Sequence, residues 1–193
     1  MPKAKILTAE RVFGALQGEI QGKTQVLVGF SGGLDSSVLL DLLIQIIPSD
    51  NVTAVHVNHG LSPKASEWQA HAERFCQSRG VTCHSERVEV KLDGEGPEAA
   101  ARKVRYAVFE TLLRPDGILL LGHHQDDQSE TLIYRLMRSS GPVGLSGIPA
   151  MRSLGAGRLY RPLLSWPKEA LQAYALNKNI EWVEDTSNSR NDY

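Results

Sequence analysis

A Ser-Gly-Gly turn between an apolar strand and an amphipathic helix is the segment best suited to chemistry. The apolar run Val26–Phe30 leads into Ser31-Gly32-Gly33-Leu34-Asp35-Ser36-Ser37, and apolar residues at helical spacing follow. Glycine lets the backbone approach a ligand closely, and the first amides of a helix have no partner within it. With the positive end of the helix dipole, they form an anion site. The segment therefore predicts a phosphate cradle, with the three serine hydroxyls facing the same point.

Asp35 is a carboxylate in a segment that otherwise suits an anion. The segment lacks the Gly-Lys-Ser/Thr ending of a Walker A loop, so no lysine stands ready to neutralise a phosphate. A metal ion that joins the carboxylate to the phosphate resolves this conflict, and we expect Asp35 to bind one. The alternative is an ordinary strand-to-helix turn in which Asp35 is the helix N-cap.

Polar residues also follow two other predicted strands. His59 lies at the tip of the second strand, where it could touch a nucleotide, and His123 and His124 follow the fourth. Asp127 and Glu130 are three residues apart in the next helix, so they share a face. A carboxylate and an imidazole beside a phosphate could hold Mg²⁺ and neutralise developing charge. Adjacent histidines point in different directions, so we expect one to enter the site. The spacing matches no zinc class, and a structural histidine with capping carboxylates is the other alternative.

The elements that must position these residues alternate between strand and helix. Apolar periodicity and capping residues predict helices over Thr8–Gln21, Asp35–Ile47, Pro63–Gly80, Pro97–Leu113, Asp126–Arg138 and Pro167–Asn177. Strands are predicted over Gln25–Phe30, Val52–Val57, Val81–Val90, Ile118–Leu121 and Ile180–Val183, and a loop over Ser139–Gly157. This alternation predicts an α/β fold: a doubly wound, mostly parallel five-stranded sheet with helices on both faces. Residues 1–193 form one domain, with 1–24 as a helical lead-in. The carboxyl ends of its strands meet at one edge, which brings the polar clusters together.

Composition limits the function classes. Hydrophobic residues make up 41% of the chain and charged residues 22%, as in soluble globular proteins. No apolar run approaches the roughly 18 residues of a membrane span, and the N-terminus lacks a signal-peptide pattern, so we expect a cytoplasmic protein without a membrane partner. Cys76 and Cys83 form neither a CxxC pair nor a disulfide framework.

Charge is unevenly distributed along the chain, whose net charge is −1. The stretch Thr131–Lys168 contains no acidic residue but includes Arg135, Arg138 and Arg152. A basic sector in an acidic protein is typical of a polyanion contact, although a chance gap in a loop-rich stretch gives the same pattern. Arg102 and Arg105 lie near Glu98 on one predicted helix, where they either form an ion pair or contact a phosphate or base.

Several segments resemble known families. Ser31–Ser36 resembles the loop of the N-type ATP pyrophosphatases, which cleave ATP between the α and β phosphates. Other segments resemble the tRNA(Ile)-lysidine synthetases, from about Val26 to Tyr193. They are His56-Val57-Asn58-His59-Gly60-Leu61, Ala101-Arg102 with Arg105-Tyr106, Gly122–Thr131 and Glu184–Asn188, of which the first and third are the most specific.

The resemblance implies a two-step reaction. The carbonyl oxygen of the wobble cytidine in the CAU anticodon of tRNA(Ile) attacks the α-phosphate of ATP, and free L-lysine then displaces AMP. It implies ATP binding by Ser31–Ser37 and His59, Mg²⁺ binding by Asp35 and Asp127, and His123 as the catalytic imidazole close to the α-phosphate. Glu130 could receive the lysine ammonium, and tRNA contacts fall to Arg102, Arg105, Arg135, Arg138 and Arg152. The sequence leaves oligomeric state open, a homodimer included.

Two features depart from that family, and two rival functions remain. The family's Arg-Gly-x-Gly pattern is here Arg138-Ser139-Ser140-Gly141, and the chain ends at Tyr193, where family members continue with tRNA-binding domains. We therefore expect a truncated catalytic domain.

One rival is another ATP pyrophosphatase, either a tRNA thiolase, which needs cysteines at the loops, or an ammonia-using amide synthetase. The other is a non-catalytic nucleotide-binding module.

Overall fold

The protein is an α/β domain whose structure, a computed structural model, describes residues 6–20, 25–91, 94, 96–137 and 146–184. The helices are α1 (Ala9–Phe13), α2 (Gln17–Ile20), α3 (Leu34–Leu43), α4 (Ala65–Ser78), α5 (Pro97–Leu112), α6 (Gln125–Met137) and α7 (Lys168–Asn177). The strands are β1 (Val26–Gly29), β2 (Val52–Asn58), β3 (Thr82–Arg87), β4 (Ile118–Leu120), β5 (Met151–Leu154) and β6 (Gly157–Tyr160). Within the described ranges, none of the helices has the length and apolar character needed to cross a membrane.

The sheet has the order β3-β2-β1-β4-β6-β5. All neighbouring pairs are parallel except β5 and β6, which are antiparallel. The chain builds outward from β1 to β3 and then returns to the other side of β1 with β4. This reversal lies between β1 and β4, so ligands are expected at the carboxyl ends of these two strands.

Helices cover both faces of the sheet, as predicted. Side chains alternate along β1: Val26 and Val28 pack into one cluster with α1, α3, α4 and α7, and Leu27 packs into a second cluster under α5. The central strand is almost free of solvent on both faces, which explains its continuous apolar sequence. The sheet is therefore a firm support for the residues that follow its strands.

The six-stranded sheet corrects the prediction of five strands and of a continuous loop over Ser139–Gly157. Residues 151–160 form a hairpin in which β6 pairs with β4, and Gly155 makes the turn with a φ of +51. The pattern hid the hairpin because Met151, Arg152 and Ser153 on the edge strand are all exposed. Residues 138–145 of the predicted loop lie outside the described residues.

The predicted fifth strand, Ile180–Val183, is wrong. None of the described strands pairs with this segment, which lies against the turn after β1, where Val183 N donates to Gly32 O at 2.9 Å. Its apolar pattern reflects packing, since Ile180 and Trp182 join the core cluster under α3 and α7. The sheet position beside β4 belongs to β6 instead.

The predicted helix Thr8–Gln21 is two short helices. Thr8 caps α1 by accepting from Arg11 N, and the chain turns over Gly14–Leu16 before α2. Two glycines, Gly14 and Gly18, lower the helix propensity of this segment, which accounts for the interruption. Its apolar side chains still cover the sheet, with Phe13 fully buried.

Candidate active site

The turn between β1 and α3 has the backbone of an anion site. Gly32 has a φ of +83, which side chains rarely adopt, and Gly33 is the N-cap of α3 without a side-chain cap. The first amides of α3 therefore have no partner within the helix and none from a capping side chain. Because α3 begins at Leu34, Asp35 lies inside the helix and does not serve as its N-cap.

The three serines of this turn differ in their surroundings. The Oγ atoms of Ser31 and Ser36 are 3.1 Å apart, and Ser36 Oγ donates to Gly33 O at 3.1 Å. Gly33 N in turn donates to Ser31 Oγ at 3.2 Å. Ser37 is fully buried, and its Oγ has no partner among the described residues. The hydroxyls of Ser31 and Ser36 thus stabilise the turn, whereas that of Ser37 lies in the interior instead of beside them.

Asp35 lies against the end of β4. A Cβ on Gly122 would come within 3.0 Å of the Asp35 carbonyl carbon and 3.2 Å of its Cβ. The buried Asp35 Oδ1 has no hydrogen-bond partner among the described residues. Burial raises the pKa of Asp35, with Asp127 acting in the same direction and His124 opposing it. A cation at this carboxylate would remove the cost of its burial.

His124 lies between two carboxylates. Its Nε2 is 3.7 Å from Asp35 Oδ2 and 3.7 Å from Asp127 Oδ2. The ring is fixed by a hydrogen bond from the backbone Asp126 N to His124 Nδ1 at 3.2 Å. The backbone N of His124 in turn donates to Asp127 Oδ2 at 2.7 Å. The structure therefore brings Asp35 and Asp127 to the same nitrogen of one buried imidazole, and this imidazole belongs to His124 rather than to His123.

The two carboxylates fit Mg²⁺ that arrives with a phosphate. Mg²⁺ usually takes one or two protein carboxylates and completes its shell with phosphate oxygens and water. The unpartnered Oδ1 of Asp35 is a free ligand of this kind, and the Asp127 carboxylate lies at the same His124 nitrogen as that of Asp35. In the described part of the chain, no group of three or more His, Cys, Asp or Glu side chains could hold a metal alone. These residues thus suit a shared ion better than a metal centre made by protein ligands only.

His123 has a different neighbour. Arg161, which directly follows β6, donates from Nε to His123 Nδ1 at 3.3 Å. Burial lowers the pKa of His123 to about 4, and the Arg161 charge adds to this effect while Asp127 opposes it. The imidazole is therefore neutral at physiological pH. Its Nε2 makes no hydrogen bond to any residue that the structure describes.

The end of β2 supplies a third group at this edge. Asn58 Nδ2 donates to Gln69 Oε1 at 2.8 Å, and Gly60 N donates to Asn58 Oδ1 at 3.0 Å, which fixes the turn that carries His59. Burial lowers the pKa of His59 to about 4, with a further contribution from Arg105. Its buried Nδ1 has no partner among the described residues, so this ring can still accept a hydrogen-bonding ligand.

Arginines surround Tyr106 on α5. The guanidinium carbons of Arg102 and Arg152 each lie 5.1 Å from the Tyr106 ring centroid, and Arg102 and Arg161 both donate to its hydroxyl at 3.4 Å. Burial by itself would raise the pKa of Tyr106, but these charges outweigh it and lower the value. An open pocket of about 510 Å³ borders Arg102, Tyr106 and Arg152. The cluster is a candidate surface for an anionic ligand.

The other residues predicted to contact substrates are more scattered. Glu130 is exposed on α6, three residues beyond Asp127. Arg135 donates from NH1 to Gly147 O at 3.0 Å, so it also connects α6 to the segment before β5. Arg138 lies outside the described residues, and its predicted role stays a prediction.

Sequence reasoning missed four residues of the site. Gly122 belongs to the site because only a residue without a side chain fits against Asp35. Arg161 belongs to it because it donates a hydrogen bond to His123. Lys168 at the start of α7 is close enough to oppose the raised pKa of Asp35. Gln128 binds the backbone of Ile148 from both ends of its amide. Arg161 directly follows β6, and this place at the end of a strand could have indicated its role if β6 had been predicted.

Known proteins share this sequence pattern. A family model described as the PP-loop domain matches residues 6–193. The curated tRNA(Ile)-lysidine synthase of Alkalilimnicola ehrlichii is 48% identical over 165 residues, which is 84% of this chain and 37% of that protein. The enzyme of the same name from Photorhabdus laumondii is 41% identical over 188 residues, which is 95% of this chain and 42% of that protein. The chain thus spans about two fifths of the length of these relatives.

A solved structure shares the fold. The U34-tRNA thiolase of Methanococcus maripaludis, determined with its [4Fe-4S] cluster, has a TM-score of 0.70 at 20% identity, over 91% of this chain and 64% of that chain. That similarity extends to the fold alone. Because the family model covers the chain from residue 6 to its last residue, the protein belongs to the PP-loop domain family.

Proposed function

We propose that this chain is the ATP-using domain of a tRNA(Ile)-lysidine synthase, which joins L-lysine to the wobble cytidine of the CAU anticodon of tRNA(Ile). The observation that carries the proposal is the 41% identity to a curated synthase over 95% of the chain, together with the 48% identity to another over 84%. The approach of Asp35 and Asp127 to His124, with His123 as its neighbour in the chain, supports it.

ATP binds through its phosphates at the turn after β1. The uncapped amides at the start of α3 donate to the leaving pyrophosphate, and Gly32 and Gly33 permit its close approach. Lys168 contributes positive charge beside this turn. His59 borders the nucleotide from the end of β2. Asp35 and Asp127 would hold Mg²⁺, which would neutralise negative charge on the phosphates.

His123 donates a hydrogen bond to the α-phosphate. The cytidine carbonyl oxygen forms a bond to that phosphorus, and the bond to pyrophosphate breaks. The lysine amine, having lost a proton, then bonds to the activated base carbon, and the bond to AMP breaks. Most of the acceleration comes from positioning and from stabilisation of charge on the phosphoryl oxygens, as in other phosphate transfers.

The remaining proposed contacts are with lysine and tRNA. Glu130 is exposed near the carboxylates and suits the lysine ammonium. Arg102 and Arg152 flank Tyr106 in an open pocket, which suits phosphates of the anticodon stem, and Arg105 lies close enough to His59 to affect its pKa. Arg135 and Arg138 follow on or after α6.

A thiolase reaction is less well supported. The chain has two cysteines, Cys76 and Cys83. Cys76 lies in the last turn of α4 and Cys83 is the second residue of β3, so both are remote from the carboxyl edge where His123 and Asp35 lie. Sulfur transfer requires a reactive thiol or cluster at that edge.

A direct test is incorporation of labelled lysine into a tRNA(Ile) transcript with a CAU anticodon, with ATP and Mg²⁺ at low salt. We expect one AMP and one pyrophosphate for each lysine incorporated, and no incorporation into a transcript whose wobble cytidine is replaced by uridine. ATP turnover without lysine in the tRNA, or equal labelling of both transcripts, would refute the proposal.

A further inference from the structure

Arg161 is a buried cation whose hydrogen bonds all go to neutral groups. It is 4% exposed. Its Nε donates to His123 Nδ1 at 3.3 Å, NH1 to Pro149 O at 2.7 Å, and NH2 to the Tyr106 hydroxyl at 3.4 Å. Its backbone is fixed as well, because Arg161 N donates to Ala150 O at 2.8 Å. The guanidinium therefore has one well-defined orientation.

This arrangement has no carboxylate to balance it. In residues 6–20, 25–91, 94, 96–137 and 146–184, no ion pair includes Arg161. A buried charge without a counter-ion is costly, so it persists only where its directed hydrogen bonds are needed. Arginine cannot act as an acceptor and stays protonated. The atom that faces its Nε must therefore offer a lone pair.

We propose that Arg161 is a positioning residue that fixes His123 as the neutral tautomer with its proton on Nε2. Nδ1 must accept from Arg161, so the single ring proton is on Nε2, which has no protein partner among the described residues. His123, just beyond the end of β4, is then a hydrogen-bond donor at Nε2, and it cannot take up a proton there. This inference rests on the proposed function only for the identity of the oxygen that accepts this hydrogen bond.

The charges around His123 are consistent with this state. Arg161, Arg102 and Arg105 disfavour an imidazolium, and Asp127 alone favours it. His124 reaches the same tautomer by another route, since Asp126 N donates to its Nδ1. Both imidazoles thus direct Nε2 away from their supports, but the support of His123 is a side chain and can be removed by substitution.

The tautomer can be measured directly in the protein without ligands. Long-range ¹H–¹⁵N correlation spectra of the ¹⁵N-histidine-labelled chain distinguish a proton on Nε2 from one on Nδ1, and His123→Gln assigns the signal among the six histidines. We expect His123 to be a neutral Nε2–H imidazole across neutral pH. A proton on Nδ1, an averaged pair of tautomers or an imidazolium in the unaltered protein overturns the proposal.

Substitution separates positioning from general structural support. In Arg161→Met we expect His123 to exchange between tautomers, whereas Tyr106→Phe leaves the Nε2–H state unchanged. The second variant removes the hydrogen bonds of Arg161 NH2 and of Arg102 to the hydroxyl but keeps the bond from Arg161 Nε to His123. If Arg161→Met does not fold, Arg161→Lys and the spectrum of the unaltered protein still decide the question. An unchanged His123 signal in a folded Arg161→Met protein contradicts the assignment.

The kinetic consequence is specific. Arg161→Lys or Arg161→Met should slow adenylate formation roughly tenfold to a hundredfold, the range seen for outer partners of functional histidines, and leave the ATP dissociation constant unchanged. Equal losses of the adenylation rate and of the affinity for ATP would indicate a structural role only. If lysine incorporation is never observed but the Nε2–H tautomer depends on Arg161, the proposed function fails and the role of Arg161 stands.

Discussion

Gly122 and Asp35 are in direct backbone contact, and this contact joins the end of β4 to the first turn of α3. A methyl group at position 122 would lie 3.0 Å from the Asp35 carbonyl carbon and 3.1 Å from its oxygen. Both atoms belong to the helix backbone, so they cannot move aside as a flexible side chain would. The position of the carboxylate therefore depends on the absence of a side chain at position 122, three residues before α6 begins.

We predict that Gly122→Ala displaces α3 and weakens ATP binding. Overpacking of this kind costs about 1–3 kcal/mol of the free energy of unfolding. Calorimetry gives the ATP dissociation constant, and urea unfolding gives the stability. Gly96→Ala is a suitable control, because a Cβ at Gly96 would meet no atom within 4 Å. Wild-type ATP affinity in Gly122→Ala would show that the contact is unimportant for the site.

We predict that Asp35→Asn abolishes adenylate formation and leaves the fold intact. Burial and Asp127 disfavour a charge at this position and together outweigh the favourable charges of His124 and Lys168, so removal of the charge does not destabilise the native state. Circular dichroism checks the fold, and release of AMP and pyrophosphate checks the chemistry. Asp50→Asn, in the exposed turn before β2, is the matched control. Full turnover by Asp35→Asn would exclude the metal role.

We predict that His123→Ala and Asp127→Ala reduce the rate of adenylate formation much more than the affinity for ATP. In the proposed reaction both residues lie where charge develops on the α-phosphate, and removal of one hydrogen-bond donor from such a position in other enzymes costs about a hundredfold to a thousandfold. Single-turnover quench experiments measure the step, and calorimetry measures binding. Loss of affinity at an unchanged rate would make them binding residues instead.

We predict that acid destabilises the protein through His59. The pKa of His59 in the native state is about 4, against 6.5 for an unperturbed imidazole. Between these two pH values the unfolded chain therefore binds a proton at His59 that the native state does not bind. The stability contribution of neutral His59 is complete above pH 6.5 and is lost as the pH falls toward 4. His59→Gln should weaken the dependence of the urea unfolding midpoint on pH between pH 6.5 and pH 4. If the unfolding midpoint depends on pH to the same extent with and without His59, other groups cause the acid sensitivity.

We predict that Arg152 contributes to tRNA binding. Each neutralised phosphate adds roughly 0.7–0.9 to the salt slope of log K, so Arg152→Gln should flatten the slope by about that amount. We expect weak binding, with a dissociation constant on the order of micromolar or higher, as for non-specific contacts. Filter binding over a range of salt concentrations measures the slope. Arg114→Gln, on an exposed turn before β4, is the control.

Sequence reasoning located the edge of the sheet because local signals specify it. The turn Ser31–Ser37 and the polar residues after β2 and β4 all follow short apolar runs, and the parallel order of β1, β2 and β4 brings them together. The fold class follows from the same alternation of strands and helices.

What the sequence hid depends on contacts between distant segments. The hairpin of β5 and β6 has an exposed, polar edge strand, so its periodicity is weak. Ile180–Val183 has the composition of a strand, but its neighbours decide that it packs beside Gly32. His123 and His124 are adjacent in sequence, and only Arg161 and the two carboxylates distinguish their environments.

The hydrogen bond from Val183 to Gly32 has a consequence for protein synthesis. The glycine turn leaves the ribosome early, but the segment that supports it is translated near the end of the described chain, and Tyr174 also bonds Gln45 across 129 positions. At about 5–20 residues per second, the nascent chain spends several seconds or more with strands β1 to β4 available and this support missing. A nascent chain therefore completes this turn only after Val183 has been translated, long after the glycines themselves.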